Sequence, residues 1–246
     1  MAKADNRRHR SRDPERLGSF VDHLRELRTR LFRSVLVVLV GFVVGFIFYE
    51  TLWDLLRAPY DEVFENELLS TLPAEPFSVA MRLAGFAGVI LASPWLFSEL
   101  WGFISPGLTK KEKRWAVPVV AIMTFLFLLG VVFAYNILPR ALEVLGGFLQ
   151  VDYRPTIGQY TTFALRILLV FGLTFQFPVF LFGAAATGMV TYEQLKRGRR
   201  WAVVIITIVA AAATPTGDAF TLAVLAVPLY LLYEITILLV RLVIRK

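Results

Sequence analysis

Long apolar runs alternate with short basic clusters along these 246 residues, and that alternation limits the fold more than any other feature. Several runs approach the ~20 residues needed to cross a hydrocarbon core. Hydrophobic residues make up 57% of the chain and charged residues 18%, against roughly 45–50% and 25% in a soluble domain. That excess is too large for one soluble core, so lipid is the expected solvent for most of the chain. In lipid, every backbone N–H and C=O must be satisfied within the protein, which leaves helices or a closed barrel. Barrel strands would show ~10-residue alternating segments. The runs here are continuous, so the expected class is an all-α polytopic membrane protein.

Six spans are expected, at about 32–49, 79–101, 115–138, 160–189, 201–213 and 220–240. The fifth would rise only about 20 Å at helical pitch. It must therefore thin the bilayer or lean on its neighbours. A turn carrying Pro215, Gly217 and Asp218 joins it to the sixth. Lys and Arg gather in alternate gaps: ten within residues 1–33, four within 110–114, four within 196–200 and three within 241–246, of 26 in all. The positive-inside rule then places both termini and the second and fourth loops in the cytoplasm. Residues 1–16 read as a basic, disordered extension, and 17–246 as a single membrane domain. A cleaved leader is not expected, because some thirty polar residues precede the first apolar run. The long first outer loop (about 50–78) is expected to hold a short helix ending at Pro59, with Trp53, Leu55 and Leu56 on its apolar side.

Cysteine is absent, and the two histidines, His9 and His23, both precede the first span. Thiolate or histidine metal sites are not expected, and neither are cofactors or a catalytic centre. Candidate functional residues are instead carboxylates on a cationic rim. Leu17–Leu31 reads as an amphipathic interfacial helix, on which Glu26 has the i,i+4 spacing to pair with Arg30. Glu112 can close a capping box with Thr109. A surface meant only for anionic lipid gains nothing from carboxylates, whereas an arginine-bearing peptide needs them, because guanidinium and carboxylate pair in bidentate fashion. Glu99 is a third candidate on the same side. Within the spans, Gln176 and Glu234 are the polar groups that need partners, and Arg166 can snorkel outward.

At these residues the sequence resembles the TatC family, the multispanning core of the twin-arginine translocase. The resemblance runs in order from residue 17 through His23–Leu31, Ser93-Pro94, Trp101–Leu108, Lys111–Arg114, Phe133–Tyr135, Phe175–Pro178, Thr214-Pro215 with Asp218, Pro228 and Tyr233-Glu234. It implies a concave, glove-like six-helix fold with both ends inside, in the cytoplasmic membrane. It implies that Glu26 and Glu112 bind twin-arginine signal peptides of folded cargo, with Arg28 and Glu99 as further candidates. Pro215 and Asp218 would belong to the turn where partners dock. TatA- and TatB-type single-span proteins, self-association and lipid are the implied partners, with no role for nucleic acid. Transport would be driven by the proton-motive force, and no P-loop pattern is present. Many members carry Glu where this chain has Gln176, which removes a titratable group. The alternative is a secondary transporter of a small solute. It would need buried ionisable groups at mid-membrane, where only Gln176 and Glu234 qualify. An intramembrane hydrolase lacks its residues, and a pure scaffold would tolerate loss of Glu26 and Glu112.

Overall fold

The computed structural model describes residues 14–104, 116–147, 154–213 and 219–244. They form α1 (Pro14–Ile47), α2 (Tyr49–Asp61), α3 (Glu75–Ile104), α4 (Ala116–Gly147), α5 (Ile157–Thr174), α6 (Phe177–Ala186), α7 (Tyr192–Arg197), α8 (Arg199–Ala213) and α9 (Ala219–Ile244). Five stretches are long and apolar enough to cross a membrane: Leu24–Ile47, Glu75–Phe103, Ala116–Val144, Ile157–Ala186 and Leu225–Leu242. The expected fifth span is α8, whose 15 residues rise about 22 Å, short of the ~30 Å hydrocarbon thickness. The amphipathic segment before the first span and the span itself are one uninterrupted helix.

Two departures from the sequence reading have local causes. The run 160–189 is broken into α5 and α6 at Phe175-Gln176. Pro178, in the first turn of α6, has no amide to give to the preceding turn, and Gln176 N–H shifts to the Leu173 carbonyl at 3.0 Å. The run also stops at Ala186 rather than Met189. Gly188 takes φ 78°, the left-handed conformation that glycine adopts without strain. From there, Gly188 N–H reaches the Ala185 carbonyl and Met189 N–H the Ala184 carbonyl, a Schellman closure of the helix. In the outer loop, Pro59 lies inside α2, which continues to Asp61; Leu56, Pro59 and Tyr60 are its buried residues. Leu55, expected inward, is 58% exposed.

With lipid outside, apolar surface is no reason for helices to associate; close packing is. Gly41 and Gly45, four residues apart on α1, meet Gly88, Ala84 and Ala87 of α3 backbone to backbone. Gly130 of α4 meets the backbone of Phe171 and Gly172 on α5 in the same way. Around this second contact Phe127, Phe171, Leu138, Leu142 and Ile167 are fully buried. By contrast, Leu39, Val40 and Ile47 of α1 point outward, as a lipid-facing stripe should.

The end of the bundle bearing the acidic loop is stitched by main-chain contacts. Leu69 exchanges hydrogen bonds with Pro155 and Ile157. Glu75 accepts from the amides of Thr71 (2.9 Å) and Gly158 (3.0 Å). Its carboxylate thus satisfies an amide in the first turn of α5, where helix donors lack internal partners and negative charge is favoured. Thr156 and Gln159 close a reciprocal capping box at the same terminus.

Candidate functional site

At the opposite end, α1 and α3 bring together two of the expected carboxylates. Arg30 lies between them. Its Nε and Nη2 both donate to Glu26 Oε1, at 3.1 and 2.7 Å. Its Nη1 donates to Glu99 Oε2 at 2.8 Å and to the Glu99 main-chain carbonyl at 3.4 Å. Glu99 is buried, while Glu26 keeps 36% of its side-chain surface exposed. A carboxylate as buried as Glu99 needs a cation or several donors, and Arg30 supplies both. The guanidinium lies over the bare backbone of Gly102, where any Cβ would run into it. Glycine at 102 therefore leaves room for the guanidinium in the position it takes here.

Sequence spacing exposed half of this arrangement, the i,i+4 pair of Glu26 and Arg30. It missed that Arg30 also reaches across to Glu99 and that Gly102 makes room for it. Of the other expected residues, Arg28 is exposed on α1 and stands apart from the triad. Glu112, Pro215 and Asp218 lie outside the described residues.

Gly102 also lines a groove of about 810 Å³ between α3 and α4, with Pro94, Ser98, Trp101, Thr124 and Leu128 among its walls. The groove is almost wholly apolar, and it begins where the ion-pair cluster ends. The buried indole N–H of Trp101 has no acceptor among the described residues. Gln176, buried at the junction of α5 and α6, donates its Nε2 to the carbonyl of Met123, next to Thr124 on α4, at 3.1 Å. Its Oε1 is buried without a donor among the described residues. Glu234 forms a separate site on α9, where it accepts from Arg199 and Tyr230, both at 2.8 Å. Tyr233 donates to the Leu195 carbonyl at 2.8 Å. Together these bonds hold α7 and the start of α8 against α9.

The family model described as Sec-independent protein translocase protein (TatC) matches residues 22–228. A Sec-independent protein translocase protein TatC from Corynebacterium kroppenstedtii is 40% identical, covering 94% of this chain and 63% of that protein. One from Desulforapulum autotrophicum is also 40% identical, over 93% of this chain and 86% of its own length. Among solved structures, a crystal structure of the twin arginine translocase receptor TatC superposes with a TM-score of 0.80 at 37% identity. It covers 89% of this chain and 98% of that one.

Proposed function

Because the chain belongs to the TatC family of Sec-independent protein translocase proteins, we propose that it is the subunit that receives twin-arginine signal peptides at the cytoplasmic face. A member of this family is a multi-pass membrane component of a protein translocase and not an enzyme. In the proposed arrangement α8 is the short fifth of six spans, both termini are cytoplasmic, and the membrane is the inner one. The basic clusters at residues 1–33, 110–114, 196–200 and 241–246 then share one side.

The observation that carries the reading is the triad. Glu26 and Glu99 already hold a guanidinium in hydrogen-bonding geometry at the edge of the membrane domain. A signal-peptide arginine offers the same group to Glu26, and Glu112, within the basic cluster of residues 110–114, would take the second arginine. The apolar segment that follows such arginines would lie in the α3–α4 groove, which starts at Gly102. TatA- and TatB-type partners would dock near α8, α9 and the turn of Pro215 and Asp218. The proton-motive force would drive transport. Replacing Glu112 with Ala abolishes cross-linking of a twin-arginine precursor while membrane insertion stays intact. Undiminished cross-linking would reject the assignment.

A further inference from the structure

We propose that Arg30 is an affinity-setting competitor, a built-in guanidinium that an incoming peptide must displace from Glu26 before it can bind. This inference rests on the receptor reading above and adds to it a competitor that belongs to the chain itself.

Three observations point this way. Arg30 already occupies Glu26 through two N–H groups on one oxygen. It has a second anchor waiting, because Nη1 is bonded to both the carboxylate and the carbonyl of Glu99. And the bare backbone of Gly102 gives the guanidinium space there. The two ends of the clamp are unequal. Glu99 is buried and cannot be left without a cation, whereas Glu26 is the more exposed partner. Exchange therefore occurs at Glu26: Arg30 keeps Glu99, and the peptide's arginine takes over the oxygen that Arg30 releases.

The competitor sits on the same helix as its carboxylate, so it acts at a high effective concentration. A guanidinium can match its forked geometry. A lysine ammonium, compact and strongly hydrated, cannot. Displacing Arg30 costs every ligand the same factor, so Arg30 weakens Arg-Arg and Lys-Lys peptides alike and the preference for arginine comes from the carboxylate itself.

The test uses the full chain in lipid nanodiscs, titrated with fluorescent signal peptides carrying either Arg-Arg or Lys-Lys before the same apolar segment. R30Q is expected to tighten Arg-Arg and Lys-Lys binding alike, by about tenfold, the scale of one charge-assisted hydrogen bond, leaving the ratio between them unchanged. R30Q also strips Glu99 of its cation, so the R30Q/E99Q double variant, which buries no unpaired charge, repeats the measurement. G102A, which crowds Arg30 without changing any charge, should move both affinities in the same direction. Unchanged or weaker binding of both peptides in R30Q/E99Q, while E26Q abolishes binding, overturns the role of Arg30 and leaves the receptor reading standing. Full binding by E26Q overturns both.

Discussion

The hydroxyl of Tyr135 donates to the main-chain carbonyl of Leu55 at 2.8 Å, the acceptor that Pro59, four residues on, leaves without an amide. Tyr160 donates to the next carbonyl, that of Leu56. Tyr135 of α4 thus replaces the hydrogen bond that the proline removes, Tyr160 of α5 adds a second tie beside it, and α2 is held to the bundle there. Tyr160 is almost wholly buried, so Tyr160→Phe should lower stability by about 1–3 kcal/mol, the cost of a buried unsatisfied acceptor. Tyr135→Phe, at a wetter position, should cost about 1 kcal/mol or less. Thermal unfolding in detergent gives the order. In a double-mutant cycle, Pro59→Ala restores the missing amide and should shrink the effect of Tyr135→Phe.

The glycine contact between α1 and α3 predicts a sharp difference between two neighbouring sites. A Cβ at Gly88 would come within 2.8 Å of Phe42 N and 2.9 Å of the Val38 carbonyl oxygen, backbone atoms that yield only if a helix moves. Gly88→Ala should therefore destabilise by about 1–3 kcal/mol. Gly85, three residues earlier on α3, has open space at its Cβ. Gly85→Ala should be neutral or stabilising by up to about 1 kcal/mol through helix propensity. Equal melting temperatures for the two variants would contradict the close-packed interface.

Gln176 presents a nearly balanced pair of effects. Gln176→Leu loses the bond to Met123, a contact of about 0.6 kcal/mol in membrane bundles. It also removes the buried Oε1 that has no donor among the described residues. The net change in stability should stay within about 1 kcal/mol. A loss as large as that of Gly88→Ala would mean that Gln176 holds α5 to α4 more firmly than its one hydrogen bond accounts for.

Glu234 links the short helix to its neighbour. Glu234→Gln should weaken the hold on Arg199 and Tyr230 and release the start of α8. The pair is partly exposed, with 42% and 30% of the side-chain surfaces accessible, so the global effect should be about 1 kcal/mol or less. The local effect is the sharper readout: amide hydrogen exchange should quicken in α7 and α8 and stay unchanged in α4. Uniform protection in the variant would show that α8 is held by its apolar contacts alone.

What the sequence revealed and what it hid follow from the range of the interactions involved. The spans were legible because lipid imposes its requirement residue by residue, and a continuous apolar run is all the signal needs. The Glu26–Arg30 pair was legible for a similar reason, since four residues on a helix are neighbours. Glu99 stands 69 positions from Arg30, and nothing local in either segment announces the contact. The tyrosines that tie α2 to the bundle beside Pro59 are 80 and 104 positions from the carbonyls they serve. The sequence therefore showed the break at Pro59 but not its repair. The division of 160–189 shows the opposite failure. Pro178 was visible as a breaker, but the average hydropathy of the run stays high on both sides of Gln176, so the run read as one helix.

The most direct test of the account neutralises Glu26 and Glu112 together. The E26Q/E112Q variant, inserted normally in the membrane, is titrated with a twin-arginine signal peptide. The account predicts that binding falls to the level of a peptide whose two arginines are replaced by glutamine. Retention of wild-type affinity for the twin-arginine peptide would contradict it.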